Sequence, residues 1–194
     1  MNYRDFGTKR LFDILLSTLA LVLLGPLITI GGLAVCLTSS GPVLFRQSRV
    51  GKDGCLFQIY KLRTMQVDPG RALKQTTNAD PDVLPVGRIL RRLKIDELPQ
   101  ILNVLKGDMS IVGPRPCLPQ TLEEMPYWAR RRFDVCPGIT GLAQVNGNIA
   151  LTWEERWLHD VHYVERLSFL LDLEIIMRTV FVVFFGEVHF RRSR

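Results

Sequence analysis

The chain has 194 residues, 47% of them hydrophobic and 23% charged, with 15 Gly, 11 Pro and a formal net charge of +6. That is one ordinary domain's worth of chain, long enough for a real core and too apolar for a disordered segment. Cysteines at 36, 55, 117 and 136 fall in no CxxC or other metal-ligand spacing, which excludes a zinc finger and a disulfide-framed secreted mini-protein and points to free thiols in a reducing compartment.

The first element is a membrane candidate. Between Asp13 and Arg46 lie 32 consecutive residues without a charge, and Ile14–Leu37 is dominated by Leu, Ile, Val and Ala. The run is too long for a signal peptide. As a straight helix, those residues would reach about 36 Å, enough to cross a hydrocarbon core of about 30 Å. Gly25-Pro26 sits near the centre, however, and proline removes a helical hydrogen bond and crowds the preceding turn. The flanks decide more. Arg4, Lys9 and Arg10 precede the run and Arg46, Arg49 and Lys52 follow it, so both ends claim the cytoplasmic side. A helix that enters, bends at Pro26 and returns satisfies both. A simple span and a buried core helix are the competing readings.

Ser39-Ser40-Gly41-Pro42 ends that element, and a short strand is expected at Phe57–Leu62 after the Gly51–Gly54 turn. Residues 66–87 read as a mobile loop, and Arg88–Lys94 as a short basic helix. The next helix is expected to start at Asp96 as N-cap, with Glu97 in the first turn and Gly107 as its stop. Ser110–Val112 reads as a strand ending in Gly113-Pro114-Arg115-Pro116. Residues 123–133 read as an amphipathic helix, and Pro137-Gly138 with Gly141 as a tight loop. Helices are expected at Trp153–Leu167 and Leu171–Phe185. The last of these, followed by Arg191, Arg192 and Arg194, reads as interfacial and amphipathic, with a core helix as the alternative.

The charge is uneven. From Arg46 to Lys94 there are 11 Lys/Arg against Asp53, Asp68, Asp80 and Asp82, a surplus of +7. That suits an anionic partner, or simply a solvated basic face. Asp96-Glu97 is the first chemical candidate. A helix N-terminus offers free N–H groups for phosphate and favours an ionised Asp96 as nucleophile, while Glu97 has the hard oxygens that Mg²⁺ takes. Taken alone, the dipeptide is better explained as a cap and a dipole complement. Arg88, Arg91, Arg92 and Lys94 lie just ahead of it, Lys61 and Arg63 further upstream, and two prolines hold Arg115 in a stiff loop. These suit phosphate, although binding to a membrane surface competes for the basic cluster and a structural turn for the proline loop.

The stretches KRLFD (9–13), GPVLFRQSRVG (41–51), FQIYKLRTM (57–65), KIDELPQILNVLKGDMSIVGPRP (94–116), PGITGLAQVNG (137–147) and DVHYVERLSFLLDL (160–173) occur here in order. In them the chain resembles the bacterial sugar transferase family, and more closely its small monotopic polyprenyl-phosphate phosphoglycosyl transferases. The resemblance implies an α+β, mainly helical monotopic membrane protein. Residues 1–40 would form the re-entrant membrane hairpin, and 41–194 a cytosol-facing catalytic domain with short strands and a C-terminal amphipathic helix. It implies transfer of a sugar 1-phosphate from a UDP-sugar to undecaprenyl phosphate with release of UMP, at the cytosolic face of the bacterial inner membrane.

By the same resemblance Asp96 is the nucleophile of a covalent phosphosugar intermediate, and Glu97 its partner and a Mg²⁺ ligand. Lys61, Arg91 and Arg115 match phosphate- or nucleotide-binding positions, to which Arg63 and Pro114 are added as neighbours in the same motifs. Asp160 and Asp172 match acidic positions nearer the C-terminus. Asn148 stands where many relatives carry Arg, which bears on donor preference. The expected partners are the donor, the lipid acceptor and membrane lipid, and no nucleic acid, since aromatics are not interleaved with the basic residues. Oligomeric state is left open. A non-enzymatic membrane-anchored module binding anionic lipid or nucleic acid is the alternative, as is a hydrolase of polyprenyl-linked diphosphates.

Overall fold

A computed structural model describes residues 6–67 and 80–185. Arg4, most of the loop expected at 66–87, and the arginines after 190 therefore lie outside the described residues.

Helix α1 (Phe6–Thr38) is 33 residues long and runs through Pro26 as one element, not as two limbs joined by a loop. Proline is tolerated inside such a run when neighbouring groups take up the freed backbone. Nearby, the Thr29 hydroxyl donates to the Gly25 carbonyl at 2.9 Å. The two ends of α1 are docked and the middle is not. Lys9, Asp13 and Ser17 are buried at one end, Gly31, Gly32 and Val35 at the other, and no residue from Thr18 to Ile30 is buried. Val22 and Leu23 are 71% and 66% exposed, a face that water would penalise.

Strands β1 (Leu44–Val50) and β2 (Leu56–Leu62) form an antiparallel hairpin, with Arg46 opposite Tyr60 and Phe45 opposite Lys61. The strand at β2 matches expectation; β1 is new. Helix α2 (Pro85–Arg92) begins on Pro85, earlier than the basic residues suggest, because proline suits the first helical position. Gly87 lets it approach the chain just after β2, since a Cβ there would lie 2.2 Å from the Thr64 carbonyl oxygen. The helix expected from Asp96 is instead a 3₁₀ turn, Ile95–Gln100, followed by α3 (Ile101–Lys106). Lys94, left-handed at φ 57°, is the cap rather than Asp96. Gly107 ends α3 at φ 99°, as expected of that glycine.

Strand β3 (Ser110–Val112) pairs in parallel with β4 (Gly138–Thr140), a short strand where only a tight loop was expected. Between them, the helix expected at 123–133 is broken. Thr121–Glu124 forms α4, Met125-Pro126 interrupts, and Tyr127–Asp134 continues as a 3₁₀ helix. After β4 come α5 (Leu142–Val145), α6 (Trp153–Arg166), with Thr152 and Glu155 forming a capping box, and α7 (Phe169–Phe185). Helix α7 is apolar on two faces. Asp172 and Ile175 are fully buried, whereas Leu170 and Met177 are 74% and 54% exposed. Phe12 of α1 meets Phe169 edge-to-face at 5.4 Å, which joins the exposed apolar surfaces of the two helices.

The apolar core is divided into clusters that share these elements. Val35 packs with Leu62, Leu90 and Ile95, so the late part of α1 forms one wall behind the 3₁₀ turn. Tyr163, Ile175, Val112 and Leu142 form another cluster, between α6, α7 and β3. The early part of α1 is fixed by polar contacts. Asp13 accepts from the Ser110 hydroxyl at 2.9 Å and the Ile111 amide at 3.0 Å. Arg10 donates to the Val104 and Leu105 carbonyls, and Lys9 pairs with Asp172 at 2.5 Å.

Candidate active site

Two segments far apart in sequence converge on Glu97. Strand β2 carries Lys61, whose Nζ lies 2.7 Å from Glu97 Oε1. The loop after β3 carries Arg115, with Nη2 2.6 Å from Oε1 and Nη1 3.3 Å from Oε2. Burial would raise the Glu97 pKa, but Arg115 and Lys61 outweigh it and hold the carboxyl well below the usual range. Asp96, next in sequence and 7% exposed, is different. Among the described residues no donor hydrogen-bonds its carboxylate. Burial, then the Glu97 charge, push its pKa up, with Lys61, Arg91 and Lys94 pulling the other way. The site thus holds one carboxylate clamped by two cations and one with its oxygens uncommitted.

Close backbone packing fixes the Arg115 loop. A Cβ on Gly113 would lie 2.4 Å from the Cys136 carbonyl oxygen, and one on Gly138 2.1 Å from the Gly113 amide nitrogen. The Pro114 carbonyl accepts from the Gly138 amide at 2.9 Å. Arg132 completes the support, donating to the Arg115 carbonyl at 2.6 Å while pairing with Asp160 at 2.8 Å. Asp160 is therefore linked to the site through Arg132 and the Arg115 backbone, not through the Asp96 carboxylate. Asp172 is further removed, in the buried Lys9–Asp172–Tyr163 group.

The remaining sequence candidates divide. Arg91 reaches Thr64 Oγ1 at 2.9 Å and its charge acts on Asp96. Arg63 is committed elsewhere, because its guanidinium binds Ser39 and the Pro42 carbonyl and so clasps the exit of α1. Asn148 opens the 3₁₀ turn Asn148–Ala150 at φ 46°, a left-handed conformation that asparagine tolerates better than most residues. Arg49 reads in the sequence only as a flanking charge. It is largely buried behind the Arg115 loop, where it donates to the Pro116 carbonyl and Gln47 and has an unpartnered Nε. Burial and the Arg115 charge lower its pKa to about 10. Recognising β1 would have exposed the signal, because Arg46 and Arg49, three apart, face opposite sides of a strand.

Burial raises the Asp160 pKa to about 6, although Arg132 opposes the shift. The ionised form that pairs with Arg132 is thus lost as pH falls through about 6. Folding stability from this group runs the other way, falling as pH rises from the ordinary carboxylate range through 6. If Arg115 serves turnover, kcat/KM should decline on the acid side of about pH 6. Asp160→Asn should give the acid-side rate at pH 8 and lose that limb of the profile; an unchanged limb would remove Asp160 from it.

A family model described as "Bacterial sugar transferase" matches residues 4–186. The chain belongs to this family. It is 45% identical over 193 residues to an undecaprenyl-phosphate glucose phosphotransferase of Komagataeibacter xylinus, covering 91% of this chain but 36% of that protein. It is also 45% identical over 183 residues to a UDP-glucose:undecaprenyl-phosphate glucose-1-phosphate transferase of Caulobacter vibrioides, covering 89% of this chain and 68% of that protein. The uncharacterized sugar transferase EpsL of Bacillus subtilis is 43% identical over 179 residues, 92% of this chain and 88% of its own length. The chain thus spans about a third of the length of the first of these relatives and about two thirds of the second.

Proposed function

We propose that this bacterial sugar transferase moves a sugar 1-phosphate from a UDP-sugar to undecaprenyl phosphate, releasing UMP, through a covalent intermediate on Asp96. The observation that carries the reading is the uncommitted, buried Asp96 carboxylate beside Glu97, itself clamped by two cations of the kind that match phosphate oxygens. The names of the relatives supply the substrate class.

In the first step an Asp96 oxygen attacks the sugar-linked phosphorus, and the bond from that phosphorus to the bridging oxygen breaks. UMP leaves with the electron pair. In the second step a phosphate oxygen of the acceptor attacks the same phosphorus, the acyl-phosphate bond breaks, and the Asp96 carboxylate is regenerated as the lipid-linked diphosphosugar departs. Lys61, Arg91 and Arg115 bind and orient the donor phosphates, and Arg132 and Asp160 hold Arg115 in place. Mg²⁺ ordinarily takes one or two carboxylates and completes its shell with substrate phosphates and water. Glu97, whose Oε2 makes a single 3.3 Å contact among the described residues, and Asp96 fit that donor set. A bound Mg²⁺ would supply neutralisation of phosphate charge.

Purified protein given UDP-sugars should release UMP from a matching donor, and full turnover should require both undecaprenyl phosphate and Mg²⁺. EDTA should remove the activity and added Mg²⁺ restore it. Release of inorganic phosphate without any nucleotide would replace this reading with a hydrolase.

The anchor is read as re-entrant, with both ends of α1 on the cytosolic face of the inner membrane. Its docked ends and exposed middle support this, because a spanning helix would separate Lys9 and Val35 by the bilayer thickness instead of packing both against one domain. The test keeps native Cys55, replaces the other three cysteines and adds Gly7→Cys. Both thiols should be labelled from the cytosolic side only; labelling from opposite sides would establish a span.

A further inference from the structure

Outside the catalytic cluster, a groove of about 370 Å³ opens between the β1–β2 hairpin and α3. Its walls are Leu44, Leu102 and Leu105, and its polar groups are Arg46, Tyr60 and Lys106. The two cations converge on one ring. Arg46 Cζ lies 5.6 Å from the Tyr60 centroid, and Lys106 Nζ lies 4.5 Å from it and 2.6 Å from the Tyr60 hydroxyl. Among the described residues neither cation has a carboxylate partner. Cation–π contact orients such groups without neutralising them, so the pair is held ready for an anion.

The position narrows the choice of anion. Helix α3 is joined to the start of α1 through Arg10, which donates to the Val104 and Leu105 carbonyls, and Leu44 follows shortly after α1 ends at Thr38. The groove therefore lies where both ends of the apolar helix meet the polar domain, which is the depth of lipid headgroups when α1 enters the bilayer as proposed above. Successive strand residues face opposite sides, so Tyr60 and the groove lie on the face of β2 away from Lys61 and Glu97. That separates the groove from the phosphate being transferred.

We propose that the Arg46–Tyr60–Lys106 groove is a docking site for the headgroup of an anionic bilayer phospholipid. The phosphate would bridge the two cations, and the glycerol and first methylenes would lie against Leu44, Leu102 and Leu105. Its role would be to seat the domain on the membrane at a fixed height. The inference rests on the membrane anchor proposed above but not on the transfer reaction, and its test does not depend on how α1 crosses or enters a bilayer.

Full-length protein in a neutral detergent is titrated with soluble dihexanoyl phosphatidylglycerol, dihexanoyl phosphatidylcholine, inorganic phosphate and farnesyl phosphate, with binding followed by calorimetry. Phosphatidylglycerol should bind, with phosphatidylcholine and inorganic phosphate much weaker. The R46Q/K106Q double variant should bind it about tenfold or more weakly, since two charge-assisted contacts are lost. R46K/K106R should retain most of the affinity, which with an unchanged circular dichroism spectrum separates lost charge from lost fold. Tyr60→Leu should weaken binding by freeing both cations, and Tyr60→Phe should weaken it less. Equal binding of phosphatidylcholine, or undiminished binding by R46Q/K106Q, would overturn the site. Inorganic phosphate matching phosphatidylglycerol would reduce it to a simple anion site. Farnesyl phosphate displacing phosphatidylglycerol at equal or lower concentration would reassign the groove to the acceptor.

Discussion

Asp96→Asn is expected to lower UMP release by about 10³-fold or more, because the amide cannot supply the attacking oxygen and nothing nearby replaces it. The substitution keeps the shape of the side chain, and the ion pairs of Glu97 with Lys61 and Arg115 do not involve Asp96. Ionised Asp96 is also unfavourable in the fold, since burial and then Glu97 raise its pKa. A neutral amide removes that penalty, so the melting temperature should rise rather than fall. Stability gained as activity is lost is the mark of a group kept for chemistry. Intact-mass measurement after incubation with donor alone should find a phosphosugar adduct on the parent and none on the variant. Near-normal turnover in a preparation checked for deamidation would remove Asp96 as the nucleophile.

Asp172→Ala is expected to have the largest effect on stability, about 3–5 kcal/mol, because it takes away the buried carboxylate that Lys9 and Tyr163 bind. Asp172 is fully buried, Lys9 Nζ lies 2.5 Å from Oδ2, and the Tyr163 hydroxyl lies 2.7 Å from Oδ1 and 2.9 Å from the Val112 carbonyl. One carboxylate thereby ties α1, α6, α7 and β3 together. Against a total of roughly 5–15 kcal/mol, such a loss leaves little stability. Asp172→Asn, which keeps hydrogen-bonding capacity, should cost less, and pairing Asp172→Leu with Lys9→Met should recover part of the loss. Denaturant unfolding in detergent checks this. A loss under about 1 kcal/mol for Asp172→Ala would show that the ion pair is replaceable by solvent.

The sequence reveals α1 through its long uncharged run, and β3 and α6 through local pattern. It conceals β1, because Arg46, Gln47, Ser48 and Arg49 occupy the middle of that strand, and β4, because three residues paired in parallel leave no periodic trace. The 3₁₀ turn under Asp96 is hidden for another reason. It depends on a left-handed Lys94, which no local preference announces. The site is less legible still from residues alone. Glu97 is 36 positions from Lys61 and 18 from Arg115, so their meeting follows from tertiary structure, and it is the family motifs that name them together. Arg63 shows the limit of charge reading, since it stands among the basic candidates in sequence yet binds Ser39 and the Pro42 carbonyl, more than 20 residues away along the chain. Asp172, which the resemblance singles out, pairs with Lys9.

The packing of Val35 against Ile95 has a consequence for how this protein can be handled and how it can diverge. Ile95 adjoins the proposed nucleophile, so the anchor is also part of the scaffold that aims it. Cutting away α1 to obtain a water-soluble enzyme would uncover Leu62, Leu90 and Ile95 together and leave the turn that carries Asp96 without its backing. Grafting the anchor of a distant relative would meet the same constraint, since a foreign helix must fill that wall as well as suit the lipid. The late turns of α1 are therefore bound to change in step with the turn that carries Asp96, whereas its unburied middle is free to follow the lipid proposed to surround it.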